Sequence, residues 1–399
     1  MTSPVGNVLI GQSGGPTSVI NQSLVGIVEE ALSSDSVKHV YGAIHGLQGI
    51  LDGNLIDLGR ESRETLEAVA KTPCAALRSV RKKPTEEDCK RALEAFKAND
   101  VRYFFYIGGN DSAETAHLLN QIAVAEDYDV RLFHVPKTID NDLRVTDHCP
   151  GFGSAAKFVA CALMGDNQDN RSLPGIKVDV VMGRHAGWLT AASALARRYE
   201  DDGPHLIYLP ERDFDVDAFV GDVDRVFTKT GRCLIAVSEG IHDSTGRPIG
   251  ATDEVDSHGN MQLSGSGALG DRLAGIIKQR LGSNLRVRAD TFGYLQRSFA
   301  GCVSEVDARE AREVGRTAVR VATAGDVPHG SIVMLRGDGD EYSVSFEPTE
   351  LKNVAKETRD LPEEYLAGSN DVSAAFLDYV RPLVGSMPEP TRLSDFPLA

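Results

Sequence analysis

Two polar segments directly follow strand-like apolar runs and carry residues suited to phosphate chemistry. Residues 108–112 (GGNDS) follow the run 104–107, and residues 136–142 (PKTIDND) follow the run 132–135. A strand that ends in glycines before a helix leaves free main-chain N–H groups and a positive helix end, which suit an anion. The first segment is therefore a candidate phosphate-binding turn.

The second segment, residues 136–142, also carries charged side chains. Asp140 and Asp142 are two residues apart, so an extended segment would project both to one side. There one carboxylate can accept a proton while the other binds a cation. Lys137 adds a compact positive charge that would neutralise a phosphoryl group. Together the two segments predict a phosphoryl-transfer site.

Two further glycine turns are less specific. Residues 11–18 (GQSGGPTS) follow the apolar run 7–10 and precede a helical pattern over 21–32, but they match no established phosphate-binding motif. From this local pattern alone, a structural turn and a phosphate-binding loop are equally good interpretations. Residues 265–270 (GSGALG) match G-x-G-x-x-G literally, but the polar segment 256–260 before them is not a strand. We therefore expect no dinucleotide site there.

Arginines and lysines form two clusters in a chain that is otherwise acidic, and one further arginine follows a strand-like run. Residues 77–83 hold four cations, which could bind an anion or form a solvated face. Arg184 follows the strand-like run 178–182 at the start of a helical pattern. Arg286, Arg288 and Arg297 fall within twelve residues, and arginines in such a group could grip a sugar phosphate through paired hydrogen bonds. These clusters are candidate anion sites.

The order of elements predicts an α/β fold. Apolar strand-like runs alternate with helical patterns through most of the chain, which indicates mostly parallel sheets covered by helices on both faces. In such sheets ligands bind at the carboxyl ends of the strands, where the candidate segments lie. With 399 residues and 42.9 kDa the chain is long enough for two lobes.

The amino-acid composition limits the classes of molecule that the protein could bind. A formal net charge of −16 and a pI near 5.1 argue against nucleic acid or an anionic membrane, because both require a basic face. Six cysteines without a C-x-x-C pair predict reduced thiols. The first ten residues do not resemble a leader, and no apolar run approaches the ~18 residues of a membrane span. We expect a cytoplasmic protein with small-molecule substrates.

Four motifs in this order resemble the phosphofructokinase family, and more closely its pyrophosphate-dependent branch. They are residues 136–142 (PKTIDND), 182–187 (MGRHAG), 238–240 (SEG) and 294–297 (YLQR). The resemblance extends over about residues 7–335. It implies magnesium-dependent, reversible phosphoryl transfer from pyrophosphate to the 1-hydroxyl of fructose 6-phosphate, giving fructose 1,6-bisphosphate.

The resemblance also implies two Rossmann-like lobes that face each other. We expect residues 1–152 with about 255–305 to form the lobe for the phosphoryl donor, and residues 153–254 with 306–345 to form the fructose 6-phosphate lobe. Residues 346–399 would be a C-terminal extension without assigned chemistry. A homo-oligomer, dimer or tetramer, is expected because subunits of this family meet near the sugar site.

Site roles follow from the matched motif positions. Asp140 would be the general base, Thr138 and Arg184 would steady the transferring group, and Lys137 would support it. The residues expected at fructose 6-phosphate are Thr138, Ile139, Asp140, Met182, Gly183, Arg184, Glu239, Arg288, Tyr294 and Arg297. Those expected at pyrophosphate are Gly14, Gly15, Arg81 and Lys137, and those expected at magnesium are Asn110 and Asp142.

Three positions affect which phosphoryl donor the protein would use and how it would bind magnesium. Lys137 and Asp111 stand where the ATP-dependent branch has glycine, and a carboxylate there would repel the α-phosphate of a nucleotide. Both residues favour pyrophosphate. Asn110 departs from the family, because both branches carry a magnesium-binding aspartate at this position.

Several alternatives remain open from the sequence. An ATP-dependent phosphofructokinase is the nearest, and other phosphorylated ketoses could be acceptors. A catalytically silent sugar-phosphate-binding subunit is favoured only by Asn110, and a Rossmann oxidoreductase is distant. His134, His148 and His185 follow or precede strand ends, where a structural role is the simpler interpretation.

Overall fold

The computed structural model describes residues 3–250, 267–339, 341–355 and 357–394. The strands in these ranges are β1 (Gly6–Gln12), β2 (Val37–Ala43), β3 (Leu55–Asp57), β4 (Val101–Gly108), β5 (Arg131–Pro136), β6 (Ile176–Val181), β7 (Leu206–Tyr208), β8 (Cys233–Ser238), β9 (Val287–Thr291), β10 (His329–Arg336), β11 (Val344–Thr349), β12 (Leu366–Ala367) and β13 (Asp371–Val372). The helices are α1 (Ile20–Leu32), α2 (Gly46–Leu51), α3 (Arg63–Ala70), α4 (Glu86–Ala98), α5 (Asn110–Ala125), α6 (Phe152–Ser172), α7 (Trp188–Ala192), α8 (Val216–Thr230), α9 (Ala268–Leu281), α10 (Glu305–Ala324), α11 (Leu351–Val354) and α12 (Ala374–Val384).

In the part of the chain that is described, the first lobe is built on a seven-stranded sheet. Its strand order is β11-β10-β5-β4-β1-β2-β3, with antiparallel edge strands β3 and β11 and parallel pairing between the others. Strand β4 (VRYFFYIG) is almost wholly buried because helices cover both faces of the sheet. The parallel strands β1, β4 and β5 therefore end at one edge, where their following loops meet.

The second lobe is built on a parallel sheet of order β7-β8-β6-β9 within the described residues. Strand β6 lies between β8 and β9, so the loops after these three strands also converge. The predicted fold class, α/β with mostly parallel sheets, is confirmed.

Two segments lie in the opposite lobe from the one predicted. Residues 287–291, expected in the donor lobe, form β9 and pair with β6 of the second sheet. Residues 329–336, expected in the sugar lobe, form β10 and pair with β5 of the first sheet. The predicted division of 255–305 and 306–345 is therefore wrong for these elements. Periodicity identifies a strand or helix, but it does not specify which of two similar sheets the element joins.

Helix α10 joins the first lobe through close packing on α1. A Cβ atom at Gly315 would lie 2.3 Å from the main-chain oxygen of Ser23, and one at Gly26 would lie 2.2 Å from that of Arg312. The missing side chains thus let the two helix backbones approach each other. This contact places α10 beside the helix that follows the first glycine loop.

The C-terminal segment, which is the described part of residues 346–399, packs across both lobes. Residues of α12 join a buried cluster with α6 and Trp188, and β11 completes the first sheet. No helix in the described part of the chain is long and apolar enough to cross a membrane. The predicted boundary near 255 and the first two residues of the 265–270 motif lie outside the described residues.

Candidate active site

The loop after β1 is held between cations. Gly14 adopts a left-handed backbone with φ of 75°, and its carbonyl accepts a hydrogen bond from Ser79 Oγ at 2.6 Å. A Cβ atom at Gly14 would lie 3.2 Å from Lys137 Nζ, and one at Gly15 would lie 3.3 Å from Arg297 Cζ. The two glycines therefore bring the main chain close to two positive side chains from different loops.

The loop after β4 begins α5 and is tied to the loop after β5. The main-chain oxygen of Gly108 accepts the N–H of Lys137 at 2.8 Å. Asn110 starts the helix, and its Oδ1 accepts the N–H of Asp111 at 2.9 Å. Asp111 itself is exposed in the first helical turn, where a carboxylate is favoured by the helix dipole. A negative side chain therefore lies at the entrance to this loop.

The loop after β5 carries the two aspartates. Thr138 Oγ1 accepts the N–H of Asp140 at 3.1 Å and lies 3.4 Å from Asp142 Oδ1. Between the aspartates, Asn141 has φ of 54°, a left-handed conformation that asparagine tolerates better than most residues. The side chain of Ile139 is 5% exposed and packs in the core, so it anchors this loop.

Lys137 is a buried cation in the part of the candidate site that the first lobe forms. It is 3% exposed, and its Nζ donates a hydrogen bond to the oxygen of Gly15 at 2.7 Å. Burial lowers its pKa to about 8, and the charge of Arg297 acts in the same direction. The side chain fills the space between the glycine loop and the aspartates.

The second lobe contributes the turn after β6 and the end of β8. Ser238 Oγ donates to the oxygen of Gly183 at 2.6 Å, and the N–H of Met182 donates to Gln296 Oε1 at 3.2 Å. A Cβ atom at Gly240 would lie 2.2 Å from the main-chain oxygen of Arg184. These contacts hold the turn with Arg184 against the segment that contains Glu239, whose side chain is 5% exposed.

The loop after β9 supplies Arg297 and Tyr294. The guanidinium of Arg297 lies 4.5 Å from the centre of the half-exposed Tyr294 ring, close enough for a cation–π contact. Burial and the charge of Arg81 lower the pKa of Arg297. Arg288 lies on β9 with an exposed side chain, and its Nη1 donates to the oxygen of Val287.

The charges that act on Asp140 indicate which predicted residues lie near it. Burial raises the pKa of Asp140, whereas the positive charges of Arg297, Lys137, His185 and Arg184 oppose that rise. Residues from both lobes thus act on one carboxylate. The charges that act most strongly on Lys137, Asp140 and Arg297 do not include Arg288.

Asp142 is the second carboxylate of the loop. Burial raises its pKa to about 7, and the negative charge of Asp140 acts in the same direction. Two carboxylates in such an arrangement favour a shared proton or a nearby cation. In the described ranges, no group of three or more His, Cys, Asp or Glu side chains could hold a metal ion on its own.

Sequence reasoning missed two residues of the C-terminal segment. Arg359 and Tyr379 form hydrogen bonds with the loop that carries the aspartates. Nothing in their spacing indicates this contact, because they lie more than two hundred residues further along the chain. His134, in contrast, is buried between Ser331 and the oxygen of Gly108, and this position supports its structural interpretation.

His185 is a further residue that sequence reasoning leaves without a role. When protonated, its imidazole lowers the pKa of Asp140. Burial lowers the pKa of His185, and Arg184 acts in the same direction. The signal that could have found it is its position inside the 182–187 motif, one residue after Arg184.

Comparisons with known proteins agree over nearly the whole chain. The sequence model described as Phosphofructokinase matches residues 7–322. The pyrophosphate–fructose 6-phosphate 1-phosphotransferase of Rhodospirillum rubrum is 54% identical over 396 residues, covering 98% of this chain and 97% of that protein. The protein of the same name from Halomonas elongata is 38% identical over 371 residues, covering 90% and 87%. The crystal structure of a pyrophosphate-dependent phosphofructokinase from Nitrosospira multiformis superimposes with a TM-score of 0.86 at 33% identity, covering 98% of this chain and 95% of that one.

Proposed function

Since this chain belongs to the phosphofructokinase family, we propose that it transfers a phosphoryl group from pyrophosphate to the 1-hydroxyl of fructose 6-phosphate. The products are fructose 1,6-bisphosphate and phosphate, and the reaction runs in both directions. The observation that carries the proposal is that Lys137 from the first lobe and Arg297 from the second both lie against the glycine loop, where a Cβ atom at Gly14 would be 3.2 Å from Lys137 Nζ and one at Gly15 would be 3.3 Å from Arg297 Cζ. The charges of both side chains also oppose the rise that burial causes in the pKa of Asp140. The relatives named above carry the same reaction in their names.

Asp140 acts as the general base. Its buried position raises its pKa, and a carboxylate with a raised pKa is a stronger base for the 1-hydroxyl proton. The hydrogen bond from its own N–H to Thr138 Oγ1 holds the loop at this point. The proton of the hydroxyl therefore moves to Asp140 as the sugar oxygen attacks phosphorus.

The positive groups around Asp140 stabilise the transferring phosphoryl group. Phosphoryl transfer needs positioning and charge neutralisation more than covalent help from the protein. Lys137 lies under the glycine loop, and Arg184 approaches from the second lobe. We assign pyrophosphate to Gly14, Gly15, Arg81 and Lys137, with Thr138 and Arg184 at the reacting phosphorus.

The sugar phosphate lies on the second lobe in this proposal. Arg297, stacked on Tyr294, offers a planar guanidinium to the 6-phosphate. Glu239 and the main chain at Met182 and Gly183 hold the sugar hydroxyls. Arg288 is assigned here by its motif position alone. With the corrected boundaries, the donor lobe includes α10 and β10, and the sugar lobe includes α9 and β9.

Magnesium is the cofactor that the proposed chemistry requires. It prefers oxygen ligands and usually takes one or two protein carboxylates together with phosphate oxygens and water. Asp142 and Asn110 fit this pattern because each offers a side-chain oxygen, and Asp142 Oδ1 lies 3.4 Å from Thr138 Oγ1 in the loop assigned to the reacting phosphorus. Magnesium would neutralise charge on the phosphoryl oxygens when bound.

Pyrophosphate is preferred over ATP because of two side chains at the donor end. Asp111 is exposed in the first turn of α5, where its charge opposes an additional nucleotide phosphate. Lys137 fills the space against Gly14 and Gly15. We further propose that the enzyme works in the cytoplasm as a homo-oligomer, a dimer or tetramer.

A direct assay tests the proposal. Purified protein is incubated with fructose 6-phosphate and magnesium, with pyrophosphate in one reaction and ATP in the other, and fructose 1,6-bisphosphate is measured. Turnover with pyrophosphate alone is expected. Turnover with ATP alone would overturn the donor assignment, and no turnover with either donor would favour a sugar-phosphate-binding subunit.

A further inference from the structure

The C-terminal segment makes a dense set of hydrogen bonds with the loop that carries Asp140 and Asp142. The guanidinium of Arg359 donates to three main-chain oxygens of this loop, those of Asn141 at 3.0 Å, Thr146 at 2.7 Å and Asp147 at 2.9 Å. The N–H of Arg359 donates to the oxygen of Asp142 at 2.7 Å. The main chain on both sides of Asp142 is thus held by one residue.

Tyr379 of α12 supports the same loop from another side. Its hydroxyl accepts a hydrogen bond from Asn141 Nδ2 at 2.9 Å and donates one to the oxygen of Asp147 at 2.8 Å. Asn141 is fully buried and left-handed, so its side chain cannot face a substrate. Its position between the two aspartates makes this buried amide an anchor for both of them.

The segment is anchored at the same time to the second lobe. Arg359 lies over the ring of Trp188, with its guanidinium 4.6 Å from the ring centre, and Tyr379 packs against the same ring at 5.4 Å. Trp188 begins α7, four residues after Arg184. Glu211 Oε1 accepts the N–H groups of Gly187 at 2.8 Å and Leu361 at 3.0 Å, which joins the Arg184 turn to the segment a second time.

We propose that Arg359 and Tyr379 are positioning residues that hold the Asp140–Asp142 loop of the first lobe in register with the Arg184 turn of the second. The side chains of both residues form their hydrogen bonds with main-chain oxygens of the loop and with the Asn141 side chain, and both residues lie beyond residue 322, where the family match ends. The inference rests on the proposed function, in which Asp140 and Arg184 act on one phosphoryl group. A misplacement of about 1 Å between such groups is enough to lower turnover ~10²-fold.

Two variants and a control test this inference. Arg359→Met removes the guanidinium but keeps an apolar stem against Trp188, and Tyr379→Phe removes only the hydroxyl. Arg197→Met is the matched control, because Arg197 also anchors the segment, through Asp371 at 2.8 Å, without contacting the loop. Steady-state kinetics with fructose 6-phosphate and pyrophosphate are measured for each, together with hydrogen–deuterium exchange of the whole protein.

The expected results distinguish a loss of loop positioning from a loss of overall protein stability. Turnover falls about tenfold or more in Arg359→Met and by a smaller factor in Tyr379→Phe, while KM for both substrates changes by less than about threefold. Exchange of amides in residues 141–147 becomes faster in both variants and stays unchanged in residues 13–18. Arg197→Met lowers the thermal midpoint without lowering turnover.

Three outcomes would overturn the inference: wild-type turnover in Arg359→Met, unchanged exchange over 141–147, or an equal loss of turnover in Arg197→Met. Failure of the proposed function has a different signature, the absence of product from pyrophosphate with the wild-type protein. In that case the exchange measurement still decides whether Arg359 and Tyr379 hold the loop. Should Arg359→Met not fold, Tyr379→Phe decides by the same two measurements.

Discussion

Lys137 Nζ lies 2.7 Å from the main-chain oxygen of Gly15, and this single hydrogen bond joins the loop after β5 to the loop after β1. Both loops lie at the carboxyl edge of the first sheet, where ligands bind in parallel α/β folds. A buried ammonium with one neutral acceptor keeps donor capacity for an anion, since it has three N–H groups. The bond therefore places a positive charge where pyrophosphate would lie.

We expect Lys137→Met to lower turnover with pyrophosphate by ~10²–10³-fold, because a preorganised positive group near the transferring phosphoryl is lost. Lys352→Met is the control, since its side chain is 66% exposed beside Glu350. Initial rates at saturating substrates give the comparison. Similar rates for both variants would show that Lys137 only fills space.

The donor preference can be tested by exchanging the two distinguishing residues. Asp111→Gly combined with Lys137→Gly removes a negative side chain and opens space beside Gly14, so turnover with ATP should rise while turnover with pyrophosphate falls. Asp111→Asn separates charge from bulk, because it keeps the shape of the side chain. If the double variant gains no activity with ATP, other residues determine which phosphoryl donor is used.

The sequence predicted the parts of the site that are contiguous in the chain. Residues 136–142 carry Lys137, Thr138 and both aspartates within one loop, so their proximity follows from the order of residues. The meeting of Lys137 with Arg297 could also be expected in outline, because both follow strands of parallel sheets. The lobe assignment of β9 and β10 failed, since their apolar patterns fit either sheet.

The role of the C-terminal segment could not be predicted for a different reason. Arg359 recognises main-chain oxygens, and main-chain groups carry no sequence signal. Asn141, whose backbone is left-handed, likewise forms a side-chain hydrogen bond with a distant residue, Tyr379. Long-range polar contacts of this kind appear only once the fold is known.

Asp140→Asn should lower turnover by ~10²–10⁴-fold, because the amide cannot accept the hydroxyl proton. KM for fructose 6-phosphate should change little, since the 6-phosphate is assigned to the second lobe. Asp378→Asn, at an exposed carboxylate of α12 that pairs with Arg381, is the control. Unchanged turnover in Asp140→Asn would remove this residue from the mechanism.

His148 predicts a pH dependence of stability that is separate from catalysis. The ring is 3% exposed, with Nδ1 2.7 Å from Asp147 and Nε2 2.8 Å from Glu310, while Tyr342 also faces it. Hydrogen bonds to the two carboxylates raise the pKa of His148 above 6.5 against the opposing effect of burial. The folded chain therefore keeps a proton that the unfolded chain releases near pH 6.5.

This stabilisation is complete below pH 6.5 and is lost as the pH rises through the folded-state pKa. The free energy of unfolding should fall by at most about 1.4 kcal/mol per pH unit in that window. Urea midpoints between about pH 6 and 9 should decline less steeply for His148→Gln than for the wild type. His39→Gln, which removes an exposed imidazole stacked on Tyr41, is the matched control. Equal slopes for His148→Gln and the wild type would contradict the assignment.

The packing of α10 on α1 gives a test of the corrected lobe boundary. A methyl group at Gly315 would lie 2.3 Å from the oxygen of Ser23, so the two helices must separate to accept it. We expect Gly315→Ala to lower the free energy of unfolding by about 1–3 kcal/mol, as overpacked cores do. Because α1 begins directly after the glycine loop, turnover should fall as well.

Gly221→Ala in α8 is the matched control, because no described residue outside the adjacent turns of its own helix lies within 4 Å of the position that its new methyl group would take. Alanine is the better helix former, so this change should stabilise the protein by up to about 1 kcal/mol. Urea unfolding of both variants and the wild type gives the comparison. Equal stability of Gly315→Ala and Gly221→Ala would mean that α1 and α10 are further apart than this packing requires. In that case α10 would not fix the position of α1 or of the glycine loop that precedes it.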